Sequence, residues 1–208
     1  MNTLQDEVIS MIIWINGTFG AGKTTVAYEL HKRLPNSTVY DPERFGYVLM
    51  ANIPKELLKG DFQEYPLWRQ VNYQLLKQIS EEYQGIIIVP MTLTNEQYFD
   101  EIIGKLRDDG IEVKHFTLSA TKETVQKRLA KRLEGKNSWA YHQMCGRITQ
   151  LSKDTFKKHI QTDGLSIDDV VEQISLKANL RSSVDRRTKI RKMMDRLLVQ
   201  VKEISLFK

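Results

Sequence analysis

Short apolar runs alternate along the chain with stretches whose apolar residues recur at three- and four-residue steps. The runs at 12–15, 38–40, 86–89, 112–118 and 159–161 read as strands. Helical spacing fills the intervals at 23–34, about 43–50, 64–83, 95–108, 121–133, about 138–150 and 166–179. This alternation predicts an α/β fold with a five-stranded parallel sheet and helices on both faces. Ile86-Ile87-Ile88-Val89 is apolar throughout, as a central strand buried on both sides requires. Pro90 falls where that strand should stop. Thr94 and Asn95 look like caps for the 95–108 helix, and Ser166, Asp168 and Asp169 open the 166–179 helix.

A last periodic stretch, 183–206, stands apart. Ile190, Met193, Met194, Leu197, Leu198, Val201 and Ile204 form one apolar stripe, with Arg191, Lys192, Arg196 and Lys202 mostly elsewhere on the wheel. Three units follow: an extension at 1–10, a domain at 11–180 and a basic amphipathic helix within 181–208. Two roles compete for that helix. It packs on the domain or against a second copy in a homodimer, or it lies on an anionic membrane surface.

Charge sharpens the division. The net charge is +5. Residues 181–208 hold nine Lys/Arg against three Asp/Glu, and the remaining chain holds 22 against 23. The body therefore carries no nucleic-acid signature. The single cysteine, Cys145, excludes an intramolecular disulfide and a cysteine metal cluster, which suits a reducing compartment. With no secretory pattern in 1–10 and no apolar run of spanning length, the expected location is cytoplasmic, peripheral to the membrane if the last helix binds lipid.

The most specific chemistry follows the first strand. Gly17-Thr18-Phe19-Gly20-Ala21-Gly22-Lys23-Thr24 fits G-x-x-x-x-G-K-[ST], with Thr25 next and a helical pattern behind it. Glycines at 17, 20 and 22 let successive N–H groups converge on a β-phosphate, and a helix N-terminus adds positive potential. Lys23 is expected at the β- and γ-phosphates of ATP, with the Thr24 hydroxyl on Mg²⁺. This motif in this context predicts a P-loop NTPase three-layer fold.

A phosphotransferase also needs an acceptor-side base. Asp41, at the C-terminal edge of the second strand, is the leading candidate, and the same residue is placed to cap the helix at Pro42. Glu43 and Arg44 rank lower. Arg128 and Arg132 share a helix face and can grip phosphate oxygens, and the polar turn 135–139 between two helices reads as part of a lid at about 128–150. Phe62, Tyr65 and Trp68 are candidates to line a substrate pocket or simply to fill core. His31, His115, His142 and His159 show no ligand spacing. The carboxylate that often ends a central strand beside Mg²⁺ is missing, since Val89-Pro90-Met91-Thr92 offers none.

These residues together resemble the bacterial ATP-binding tunicamycin-resistance proteins. The likeness runs from Met11 to beyond Val171. It rests on Trp14-Ile15-Asn16-Gly17, Tyr40-Asp41-Pro42-Glu43, Tyr65-Pro66-Leu67-Trp68-Arg69, Ile88-Val89-Pro90-Met91-Thr92, Glu134-Gly135-Lys136-Asn137-Ser138-Trp139 and His159-Ile160-Gln161-Thr162-Asp163. The resemblance implies a fold similar to small-molecule and nucleotide kinases and a role in resistance to tunicamycin, a uracil nucleoside bearing sugars and a fatty acyl tail. It further implies ATP phosphates on Gly17 to Thr24, Arg128 and Arg132 in the lid, and Asp41 as base. Three functions stay open at this point: phosphorylation of the drug, ATP-gated capture without chemistry, and a housekeeping kinase.

Overall fold

The computed structural model describes residues 10–131 and 138–205. Five strands form one parallel sheet: β1 (Met11–Gly17), β2 (Ser37–Val39), β3 (Ile86–Pro90), β4 (Glu112–Ser119) and β5 (His159–Gln161). Their order is β2-β3-β1-β4-β5. The chain leaves β1 toward one edge, returns to β3, and then crosses to β4. Both neighbours of β1 are thus reached late, and its carboxyl end opens into a crevice where ligands of open α/β sheets bind.

Side chains alternate across the sheet as its pleat demands. Ile12, Trp14, Ile87 and Val89 face α3 (Pro66–Glu82) and the helix formed by α4 (Glu96–Phe99), a π turn (Asp100–Gly104) and α5 (Lys105–Asp108). Ile13, Ile15, Ile88 and Phe116 face α1 (Lys23–Arg33) and α8 (Ile167–Lys177). Two apolar layers therefore sandwich the strands, as the uninterrupted isoleucines of β3 foretold. α2 (Pro42–Ala51) follows β2, with Asp41 as its N-cap.

α3 starts later than its periodicity suggested. Asp61 and Glu64 form a capping box around a 3-10 turn (Phe62–Glu64), and Pro66 then opens the helix. α6 (Lys122–Lys131) and α7 (Trp139–Leu151) pack through Val125, Leu129 and Met144, with Phe19 of the glycine loop against them. The turn between these helices, including Arg132 and 135–137, lies outside the described residues, as do 1–9.

α9 (Lys189–Ser205) packs on the domain through part of its basic face. Lys192 reaches Asp168 and Asp185 at 3.2 and 3.1 Å, and Arg196 reaches Asp168 at 3.0 Å and Glu29 at 3.5 Å. Arg187, just before the helix, lies 2.6 Å from Glu29. The cations are thus turned onto α1 and α8, while Ile190, Met193, Met194, Leu197 and Leu198 face outward. Among the described residues no helix is long and apolar enough to cross a membrane.

Candidate active site

β1 delivers the chain into a tight loop. Gly17 has φ 148°, and a Cβ there would stand 2.8 Å from the Leu118 carbonyl and 3.0 Å from the Ala21 side chain. Only glycine fits. Gly20 and Gly22 also take positive φ, 72° and 97°. Ala21 N–H donates to the Thr18 carbonyl at 3.2 Å, closing the turn. Gly22 is the N-cap of α1, which carries no side-chain cap and no acid in its first turn. Its leading N–H groups are left to an anion, and the helix dipole favours one.

Lys23 arches back, with Nζ 3.3 Å from the Thr18 carbonyl and 5.8 Å from the Phe19 ring centre. Thr24 is half-buried at the loop, whereas Thr25 is buried on the inner side of α1. A polyphosphate fits this donor set: converging amides, an uncapped helix start, an ammonium group and one hydroxyl for a cation. Strand-end chemistry differs from the usual pattern. Where a carboxylate is common, the Thr92 hydroxyl donates to the Gly17 carbonyl at 2.7 Å.

Beside the loop lies a cavity of about 330 Å³. Phe19, Glu43, Tyr47, Phe62, Met91 and Arg147 are among its walls. Its lining is mostly apolar and aromatic, with a few polar groups, as small-molecule sites are. Arg147 is 8% exposed, its guanidinium carbon 4.7 Å from the Phe19 ring centre and its Nη2 3.1 Å from Asp61 Oδ2. Burial lowers its affinity for the proton below the ordinary arginine value, and the charges of Asp61 and Glu43 oppose that shift.

The sequence candidates divide here. Phe62 lines the cavity, in edge contact with Tyr47 at 5.7 Å. Trp68 does not: it is fully buried behind Phe62, rings 5.2 Å apart, and donates from Nε1 to the Pro42 carbonyl at 3.1 Å. It braces the start of α2. Tyr65 is a staple, its hydroxyl accepting from Lys59 N–H at 2.7 Å and donating to the Leu57 carbonyl at 3.1 Å. Arg44 is exposed and donates to the Tyr28 hydroxyl at 3.3 Å.

Asp41 accepts from Glu43 N–H at 3.0 Å, so its carboxylate caps α2 and turns the next acid, Glu43, to the cavity wall. Arg128 donates to the Thr162 hydroxyl and carbonyl at 3.0 and 2.9 Å, tying α6 to the loop after β5. Arg132 lies outside the described residues. Arg147 went unnoticed in the sequence. Its signal was there: it falls three after Met144 and four before Leu151, on the buried seam of α7.

Comparison with known proteins matches this geometry. A model described as AAA domain matches residues 12–141. The tunicamycin resistance protein of Deinococcus radiodurans is 34% identical, with a TM-score of 0.71, over 84% of this chain and 99% of that one. The chain belongs to the tunicamycin-resistance family of P-loop proteins. A sugar kinase from Janibacter shares the fold at 15% identity and a TM-score of 0.60, over 82% of this chain and 95% of its own. The APS kinase CysC of Mycobacterium tuberculosis shares it at 17% identity and a TM-score of 0.53, over 82% and 98%. No curated protein sequence matches. This kinase-like P-loop fold implies nucleotide binding.

Proposed function

We propose that the protein transfers the γ-phosphoryl group of ATP to a hydroxyl of a tunicamycin-like nucleoside antibiotic. The observation that carries this reading is the cavity itself. It opens against Phe19 of the phosphate loop and brings a carboxylate, Glu43, and a desolvated guanidinium, Arg147, to the same wall system. A volume of about 330 Å³ is near the lower end of ligand cavities. It takes the hydroxyl-bearing head of such a drug and leaves the acyl tail outside.

Bound MgATP supplies the transferable phosphoryl group. The loop amides and Lys23 hold the phosphates and neutralise their charge, and the Thr24 hydroxyl holds Mg²⁺. Glu43 accepts the proton of the acceptor hydroxyl as the oxygen attacks. Asp41 fixes the turn that presents Glu43. Arg147, low in hydration and aimed between Phe19 and Asp61, offsets negative charge near the cavity. Arg128 secures the lid base. The added phosphate then spoils the drug's fit to its target by charge and bulk.

Thr92 in place of a strand-end carboxylate favours a second reading, ATP-gated capture without chemistry. One experiment separates them. Protein, MgATP and tunicamycin are incubated, and the drug is examined by mass spectrometry. Product carrying one added phosphoryl group, in excess over protein and absent with Lys23→Ala, supports the kinase. Unmodified drug retained in proportion to protein overturns it.

A further inference from the structure

The phosphate loop and the proposed acceptor cavity meet at a residue that the mechanism has not used. Asn16 is the last residue before Gly17 and is fully buried. Its Oδ1 accepts two backbone N–H groups, from Gly17 at 2.8 Å and from Leu93 at 3.0 Å. Its Nδ2 donates to the Leu93 carbonyl at 2.8 Å and faces His115 Nε2 at 3.1 Å. Every hydrogen-bonding position of the amide is therefore engaged. The oxygen holds both the first glycine of the loop and Leu93, and the nitrogen holds Leu93 a second time. Leu93 belongs to the segment after β3, in which Met91 and Thr92 form part of the cavity wall.

Three backbone groups decide which way the amide points, and His115 Nε2 takes its fourth bond. Nδ2 can only donate, so Nε2 of His115 must accept, and the ring is neutral with its proton on Nδ1. The surroundings enforce that state. His115 is 3% exposed and packed edge-on to Phe99 at 5.0 Å. Flipping the amide would set a carbonyl oxygen against two acceptors and the NH₂ against two backbone donors, with several buried groups left unpaired. Gly17 and Leu93 thus exclude the flipped state, and the neutral ring supplies the one matched side-chain partner.

We infer that Asn16, its amide fixed between Gly17, Leu93 and His115, is a positioning residue that couples the phosphate loop to the cavity wall, so that nucleotide binding presets the acceptor site. This rests on the proposed acceptor reading only for the meaning of the cavity, since the test below uses nucleotide alone.

The probe is MgAMP-PNP, followed by the methyl resonance of Met91 and by calorimetric affinity. In the native protein, nucleotide shifts the Met91 methyl although it lies beyond the loop. His115→Gln keeps an acceptor for Asn16 and a donor besides, and is expected to hold affinity within about threefold and to keep the Met91 response. His115→Phe offers no acceptor and is expected to weaken nucleotide binding about tenfold or more and to lose most of that response. Asn16→Asp supplies an independent arm should the Phe variant fail to fold. A carboxylate there cannot donate to the Leu93 carbonyl, so the link to the cavity wall is weakened and the Met91 response to nucleotide is expected to be lost. Gln and Phe variants that bind and respond alike, a Met91 methyl silent to nucleotide in the native protein, or a full Met91 response in the Asn16→Asp variant would each overturn the coupling. A negative drug-modification assay with these responses intact would remove the acceptor chemistry and leave the coupling standing.

Discussion

Two neighbouring carboxylates, Asp41 and Glu43, were candidates for the same task, and the proposed mechanism gives them different ones. The perturbations that separate them are Asp41→Asn and Glu43→Gln, each nearly isosteric. Asn is as good an N-cap as Asp, so the 3.0 Å bond to Glu43 N–H survives the first change. What it weakens is the ion pair with Arg44 at 3.8 Å, whose side chain is 46% exposed. Such a pair is worth at most about 1 kcal/mol. Asp41→Asn is therefore expected to lower stability by less than about 1 kcal/mol and turnover by less than about tenfold.

Glu43→Gln leaves the shape of the cavity wall and removes the proton acceptor. Loss of a general base costs about 10²–10⁴ in rate, which is about 2.7–5.4 kcal/mol of barrier. Its effect on the fold is smaller, since an acid in a first helical turn contributes about 0.3–1 kcal/mol. The two variants should therefore look alike in thermal melting and differ by about a hundredfold or more in drug-dependent ADP release at saturating ATP. A collapse of turnover in Asp41→Asn, with Glu43→Gln inside about tenfold of native, would refute the assignment and return the base to Asp41.

Two further outcomes are expected. A Cβ at Gly46 in α2 would stand 2.5 to 2.8 Å from three atoms of the Phe62 ring, so Gly46→Ala forces that ring toward the cavity. Overpacking of about 1–3 kcal/mol exceeds the roughly 1 kcal/mol gained in helix propensity, and steady-state kinetics should show a raised KM for the drug with KM for ATP unchanged. His115 is held neutral by burial, its pKa lowered from 6.5 to about 3. The unfolded chain then binds one proton more than the native one across that interval, so this contribution is complete above pH 6.5 and declines as pH falls toward 3, by at most about 1.4 kcal/mol per unit. Urea melts between about pH 5 and pH 7 should show this slope in the native protein and lose it in His115→Gln, and equal slopes would contradict it.

The fold was legible because its strongest signals are local. An unbroken run such as Ile86 to Val89 has no stable place except a strand covered on both faces, and Gly17, Gly20 and Gly22 take positive φ that a turn of this kind requires. The site was legible only in its backbone half. The phosphate loop is contiguous in sequence, so its spacing is its geometry. The acceptor wall is assembled from α2, the 61–64 turn, the end of β3 and α7, and no spacing relates Glu43 to Arg147. Trp68 shows the converse. Its aromatic, polar-flanked setting left pocket and core both open, and the periodicity of α3 turns it inward to the core, behind Phe62.

The last helix marks a different boundary. A helical wheel establishes that α9 has an apolar stripe and a charged face, and nothing in it says which face turns inward. That depends on what α1 and α8 present, and they present acid: Glu29 and Asp168, with side chains 2% and 34% exposed. A buried charge left alone is far more costly than a solvated one, so these groups select the cationic face of α9 over the apolar one. Arg187 and Arg196 close on Glu29, and Lys192 and Arg196 close on Asp168. Three of these cations, Arg187, Lys192 and Arg196, are thus engaged by the domain, and Glu29 ties two of them to the helix that begins in the phosphate loop. Amphipathicity is a property of the segment, whereas its direction belongs to the partners that other parts of the chain bring to it.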